Sequence, residues 1–319
     1  MAGSGALAAE VVCVASWNAD LVARVPRPIA RGETLLATAF CISPGGKGSN
    51  AAVAAARQGA RVALIARVGQ DDFGRMGLQL WHDEGIATDH VEQVPGESSG
   101  VAQILVYADG DNSIAVFPGA GAGLAARHAD AARALLSGCR VVMAPCEVPL
   151  AVIERAFGIA RGAGAKTVLN PAPAHPLPDA LLALTDVLTP NESELRILAG
   201  LGQQASVSSA AQALIARGAK AVLVTLGAAG CVLHQAGQAP ISLPGRPMAV
   251  ADTIGAGDTF TGALAAALAR GEALPAAMRF ANVAAALSVT GHGAISGMPD
   301  LAQVRALLDE DSSAHGDPQ

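Results

Sequence analysis

The chain reads as an α/β protein: a doubly wound, mainly parallel sheet with helices on both faces, plus a small antiparallel β flap. Three observations predict it. Short β-branched runs alternate with longer stretches of helical period along most of the 319 residues. The runs are apolar almost throughout, as strands covered on both faces must be. Two Pro- and turn-containing stretches then interrupt the alternation.

Strands are predicted at 11–14, 61–66, 140–143, 167–169, 187–189 and 221–224, and helices at 49–58, 73–83, 150–161, 192–198 and 208–217. The first interruption, 20–43, carries Pro26, Pro28 and Gly32 with a short apolar run at 34–37. The second, 99–116, alternates as strand, turn (Asp109-Gly110-Asp111-Asn112) and strand. Together they predict a flap inserted between strands of the main sheet, able to close over a site and exclude water. No tandem repeat is visible. The expectation is one domain over 1–319, with lid segments at about 20–43 and 99–116 and a polar, disordered tail at 309–319.

Half the residues are apolar, and a chain of this length buries roughly three quarters of its unfolded surface, enough for one large domain. With 21 basic against 27 acidic residues the net charge is −6, which argues against nucleic acid or an anionic membrane as partner. The five cysteines, Cys13, Cys41, Cys139, Cys146 and Cys231, show no CxxC spacing and fit inert thiols in a reducing compartment. The first ten residues lack the basic start and apolar core of a signal peptide, and the alanine-rich run 281–289 is too short to cross a bilayer. A soluble, cytoplasmic protein is expected. The seven histidines have no metal-ligand spacing and are read as surface or loop residues.

The most informative stretch is Asp252-Thr-Ile-Gly255-Ala256-Gly257-Asp258-Thr-Phe260, followed at once by an apolar helical run. Gly255, Ala256 and Gly257 leave backbone N–H groups bare at a helix mouth, where the dipole favours a phosphate-like anion. Asp258 stands beside them in the first turn. A cradle for charge with a base at its lip is what phosphoryl transfer to an alcohol requires. The alternative is that small residues allow close helix packing and Asp258 caps the helix. No Gly-Lys-Ser/Thr follows a glycine at P-loop spacing.

Asn18 and Asp20 follow the first strand on one face of an extended segment, and such an amide–carboxylate pair either holds vicinal sugar hydroxyls or makes an Asx turn. Pro44-Gly45-Gly46-Lys47-Gly48-Ser49-Asn50 opens a helix, so that Lys47 and Asn50 supply polar contacts where glycines let a ligand approach backbone, unless this is an ordinary glycine-rich loop. Trp17 either stacks on a sugar or anchors the flap.

At these residues the chain resembles the ribokinase-like carbohydrate kinase family, toward its pentose kinases. The matching segments run in order along nearly the whole length: Asn18-Ala19-Asp20, 45–50, 68–74, Glu147, Asn170-Pro171-Ala172-Pro173, 189–194, 225–230 and 252–260. The resemblance implies an ATP-dependent kinase for the primary hydroxyl of a furanose, D-ribose giving D-ribose 5-phosphate foremost. It implies Asp258 as catalytic base, Gly255, Ala256 and Gly257 as anion hole, and Asn18, Asp20, Gly46, Lys47, Asn50 and Glu147 as sugar ligands. Asn191, Thr225, Gly227, Gly230 and Asn282 fall on the nucleotide side, and Glu194 beside Mg²⁺ through water. Asn191 and Glu194 also read as a helix capping box, and both readings can hold at once. Asp252 with the carbonyls of Ile254, Ser288, Gly291 and Gly293 corresponds to an activating K⁺ site. Gly297 departs from the family there, standing where a serine hydroxyl is expected, next to Ser296. Asn282 replaces an aromatic or imidazole, and Gly291-His292 a more basic pair. A homodimer through the lid is implied, the period-two segment 101–107 offering a face to a second copy. The rivals are a kinase for another sugar or a nucleoside, and a non-catalytic sugar-responsive protein on the same scaffold.

Overall fold

The computed structural model describes residues 9–314. In chain order its elements are β1 (Val11–Val14), β2 (Asn18–Arg24), β3 (Ala39–Gly45), α1 (Lys47–Arg57), β4 (Val62–Gly69), α2 (Asp72–Asp83), β5 (Ala87–Val94), β6 (Gly100–Val106), β7 (Asn112–Phe117), α3 (Ala126–Ala131), α4 (Arg133–Gly138), β8 (Val141–Pro145), α5 (Leu150–Gly162), β9 (Lys166–Asn170), α6 (Asp179–Ala183), β10 (Val187–Leu188), α7 (Glu192–Ala199), α8 (Val207–Ala216), β11 (Ala221–Thr225), β12 (Gly230–Gln235), β13 (Ile241–Pro244), α9 (Ala256–Ala269), α10 (Leu274–Ser288) and α11 (Leu301–Ala314).

The nine-stranded main sheet runs β13-β12-β11-β10-β9-β8-β1-β4-β5. It is parallel from β5 to β11, with β12 and β13 added antiparallel at one edge. Alternate residues of each strand feed two cores. Val11 and Cys13 pack with α1, α2, α9, α10 and α11, while Val12 and Val14 pack with the helices from α3 to α8. That is why β1 is apolar at every position: neither face meets water. The chain leaves β1 toward β4 on one side and later fills β8 on the other, so the strand order reverses at β1. Ligands bind beyond the carboxyl ends of strands at such a point.

The flap is a four-stranded sheet, β3-β2-β6-β7. Each hairpin is antiparallel, β2 with β3 and β6 with β7, while the two hairpins are joined by parallel pairing of β2 to β6. The short apolar run at 34–37 forms no strand; within the first lid segment the second strand is Ala39–Gly45, paired with β2.

Two further expectations are corrected. The tail read as disordered from 309 is helical to 314, because Leu301, Val304, Leu307 and Leu308 recur at helical spacing and pack on the core; 315–319 lie outside the described residues. His234 is not a surface residue but a buried position on β12, and burial holds its imidazole pKa down. Among the thiols, Cys13, Cys139, Cys146 and Cys231 are buried, but Cys41 is exposed on the lid. No described helix is long and apolar enough to cross a membrane.

The helices that position the site are alanine-rich, and their small side chains let them pack closely. The closest approach is α9 against α1: a Cβ placed on Gly262 would lie 2.2 Å from the carbonyl oxygen of Ala51 and 2.7 Å from the Cβ of Ala54. Backbone cannot yield there as a flexible side chain would. Gly262→Ala is therefore expected to cost roughly 1–3 kcal/mol through overpacking, read as a lowered midpoint in urea unfolding.

Candidate active site

Asp258 sits in the first turn of α9, 7% exposed, at the carboxyl side of the sheet. The helix begins with Gly255 in the left-handed region (φ 78°), which turns the chain in from the 252–254 loop. Helix geometry leaves the first amides without intrahelical acceptors. Ala256 N–H is drawn to Thr253 O at 3.3 Å, whereas those of Gly255, Gly257 and Asp258 have no acceptor among the described residues. Gly257 has open space where a side chain would stand. The free donors thus keep Gly255 and Gly257 of the trio read in the sequence, with Asp258 in place of Ala256.

Around Asp258 the chain gathers residues from distant segments. Asn50 of α1 donates from Nδ2 to Asp258 Oδ2 at 2.9 Å, and its own Oδ1 is buried with no partner. Burial pushes the Asp258 carboxyl up to about 6; the Lys47 ammonium and the Asn50 bond oppose this, and the nearby Glu147 and Glu194 carboxylates add to it. Asp20, on β2, is lifted to about 7, first by burial and then by the Glu147 charge, with Lys47 pulling the other way. Lys47 itself loses solvent, yet the surrounding carboxylates Asp258, Glu147, Glu194 and Asp20 raise its pKa above the ordinary value.

Glu147 is fixed through one oxygen: its Oε2 accepts from Ser16 Oγ at 2.7 Å and from Lys47 N–H at 2.8 Å. It therefore caps α1 from a hundred residues away. Ser16 Oγ also accepts from Gly48 N–H at 3.0 Å. Sequence reading passed over Ser16, and its one signal there is a small hydroxyl directly after β1. Gly46 at the α1 N-cap has φ 88°, and a Cβ there would come within 2.9 Å of Ser16 O and Trp17 Cα, so glycine is required. Asn18 opens β2, buried, with its side chain against Gly100. Trp17 turns away from this group: its Nε1 donates to Phe73 O at 3.1 Å and its ring meets Trp81 edge-on at 5.4 Å. It is an anchor rather than a stacking platform.

On the other side of Asp258, Asn191 and Glu194 form the expected capping box of α7, with Asn191 Oδ1 accepting from Glu194 N–H and Glu194 Oε2 from Asn191 N–H. Asn191 is bridged to Thr225, and Thr225 N–H donates to Pro190 O, so these two predicted residues are neighbours. Gly227 (φ 57°) faces open space, whereas Gly230 is pressed against β13, where a Cβ would lie 2.2 Å from Leu243 O. Asn282 commits Nδ2 to Pro244 O at 3.0 Å. Asp252 accepts from Ile254 N–H and Gly293 N–H through its two oxygens. A Cβ at Gly297 would lie 2.5 Å from Ser288 O and 3.2 Å from Gly293 O, so the expected serine has no room here and carbonyls converge on the space it would fill.

A buried base poised near neutrality, beside unsatisfied amides at a helix mouth, is the equipment of an enzyme that transfers a phosphoryl group to an alcohol. Comparison with known proteins narrows the class. The model of the pfkB family carbohydrate kinases matches residues 8–301, and the chain belongs to that family. It is 39% identical over 296 residues to a ribokinase of Haemophilus influenzae, covering 92% of this chain and 96% of the relative. A deoxyribokinase of Salmonella typhi is 35% identical over 302 residues, covering 94% and 98%. Among solved structures, an Arabidopsis thaliana ribokinase complexed with ribose and ATP superposes with a TM-score of 0.89 at 34% identity, over 95% of this chain and 99% of that one.

An Asp258 that serves as base has to be ionised to accept a proton, so its raised pKa would place the loss of activity on the acid side. As pH falls, kcat/KM for sugar should decline with unit slope from about 7 as Asp20 protonates, then with slope two below about 6 as Asp258 follows. A pH profile between 5 and 8 checks this, and Asp20→Asn should leave the lower transition alone.

Proposed function

We propose that this chain transfers the γ-phosphoryl group of ATP to the primary hydroxyl of D-ribose, giving D-ribose 5-phosphate and ADP. The observation that carries the proposal is the environment of Asp258: a buried carboxylate lifted to about 6, held by Asn50 and faced by Lys47. In this reading Asp20 and Asn18 hold sugar hydroxyls, and a further hydroxyl satisfies the orphaned Oδ1 of Asn50. Glu147, with Oε2 already committed, offers Oε1 to the sugar. The hydroxyl oxygen forms a bond to the γ-phosphorus while its proton passes to Asp258, and the bond to the ADP oxygen breaks. The free amides of Gly255, Gly257 and Asp258 receive the charge that develops on the migrating group. Lys47 offsets the carboxylates and keeps the pocket from repelling an anionic co-substrate.

The nucleotide lies in this reading along Asn191, Thr225 and Gly227, with Asn282 at its base end. Glu194 keeps Oε1 clear of protein partners among the described residues, which suits a water-mediated contact to Mg²⁺. No group of three metal-ligating side chains exists among the described residues, so the ion's other ligands would be phosphates and water. When bound, Mg²⁺ neutralises phosphate charge. The carbonyls beside Gly297, with Asp252, suit a weakly hydrated monovalent cation such as K⁺, which would brace the loop leading into α9. The protein acts in the cytoplasm, where ATP and a reducing milieu are available to its free thiols.

The lid supports a homodimer. Phe40 (63% exposed), Ile42 and Phe117 lie on it uncovered, more apolar surface than a lid edge leaves to water without a partner. A second copy closing that face would bury them.

Asp258→Asn should lower kcat about 10²- to 10⁴-fold while sugar binding stays near that of the parent, measured by steady-state kinetics and calorimetry. A panel of ribose, deoxyribose, fructose, tagatose, adenosine and cytidine, assayed with ATP and Mg²⁺ with and without K⁺, should give ribose the highest kcat/KM and a K⁺-dependent rate. Turnover of a nucleoside above ribose would favour the rival kinase, and absence of turnover with every acceptor would point to a non-catalytic sugar binder. Phe40→Asp should convert the dimer to a monomer in light scattering at micromolar concentration.

A further inference from the structure

The segment 68–74 takes no part in the chemistry above, yet it is built around one fully engaged carboxylate. Asp71 Oδ1 accepts from Gly74 N–H at 2.7 Å and from Ser99 Oγ at 2.6 Å, and Oδ2 accepts from Ser99 N–H at 2.7 Å. Ser99 is wholly buried, and its Oγ also accepts from Gly69 N–H at 3.0 Å. The glycines make this convergence possible: a Cβ on Gly69 would lie 2.3 Å from Glu97 O, and one on Gly74 would lie 2.1 Å from Gly69 O.

What is held there is the root of the lid. Ser99 immediately precedes β6, and the chain leaving β7 returns to the same place, with Ala120 N–H donating to Ser98 O at 2.8 Å. The root of β2 is fastened to the same helix start, since Trp17 donates to Phe73 O and its ring fills the gap left by Gly77. Gly100, next to Ser99, pairs with Asn18 in the parallel β2–β6 ladder, and a Cβ on it would lie 2.3 Å from Asn18 Oδ1. A shift of Ser99 therefore moves the surface against which the Asn18 side chain rests.

We propose that Asp71, acting through Ser99 and Gly100, is a positioning residue for the sugar: it sets where Asn18 and the neighbouring Asp20 stand at the base of the lid. Asp71 touches no substrate. Burial pushes its carboxyl up, but the bonds from Ser99 and Gly74 outweigh that and hold it below the usual carboxylate range, so it stays charged throughout the working pH. Misplacement of a binding group by about an ångström is costly in an oriented site, and here the cost falls on sugar alone. The nucleotide-side residues, on α7, β11 and α10, make no contact with this carboxylate.

The inference rests on the assignment of Asn18 and Asp20 to the sugar. Asp71→Asn places an amide donor against a backbone donor, while Ser99→Ala is a milder change that keeps the carboxylate. Asp71→Asn is expected to raise the ribose KM, and the ribose Kd measured by calorimetry without nucleotide, about 10- to 100-fold, and Ser99→Ala about 3- to 10-fold. In both, kcat at saturating ribose and the ATP KM should stay within about threefold of the parent, a split that simple loss of stability does not produce. A folded variant of either kind with ribose affinity within about twofold of the parent would overturn the proposal. So would a proportional loss of ribose and ATP affinity, or failure of both variants to fold. A parent protein that neither binds nor phosphorylates ribose would instead sink the substrate assignment, before any variant is made.

Discussion

One ammonium group, that of Lys47, holds the site together. Asp20, Glu147, Glu194 and Asp258 all act on it, and they come from β2, the loop after β8, α7 and α9. Gathering like charges in a buried place is unfavourable, and the upward shifts at Asp20 and Asp258 show the strain. Without the cation both carboxylates would be pushed further toward the protonated form. Lys47 is held in turn by its backbone, whose N–H is capped by Glu147 at the start of α1. The helix start and the charge balance are thus one arrangement, and the reversal of strand order at β1 brings its parts into reach.

Much of this was legible in the chain. The six strands expected from apolar runs are present and contiguous in the sheet, because strands buried on both faces leave an unbroken apolar signature. Of the main-sheet strands that escaped notice, β12 is buried between β11 and β13, where a glycine, a histidine and a glutamine interrupt its apolar run, and the other two lie at the edges. Residues of β5 alternate between exposed and half-buried, and β13 is largely exposed, so neither presents such a run. The pairing of β2 with β6 is parallel and spans some eighty residues of chain, which no local pattern encodes.

The site divides in the same way. Asp258, Lys47 and Asn50 were readable, since glycine-flanked polar residues at helix starts are local features. Ser16 was not, because its importance lies in Glu147, which stands far away in sequence. The amide of Ala256, counted as a free donor, is drawn to Thr253 O by a turn that sequence does not display. Gly230 suggests a ligand loop, and its strict need is the close passage of β13. At Gly297 the reading of a lost serine ligand gives way to a steric fact: Ser288 O occupies the space its side chain would need.

The parallel union of the two hairpins also bears on how the molecule is assembled. Between β2 and β6 lie α1, β4, α2 and β5, all parts of the main body. Contacts that close so long a stretch lose entropy before they return enthalpy, and they form late. The second hairpin is made only after α1, β4, α2 and β5, so during synthesis the amino-terminal hairpin stays unpaired along β2 until that whole stretch has emerged.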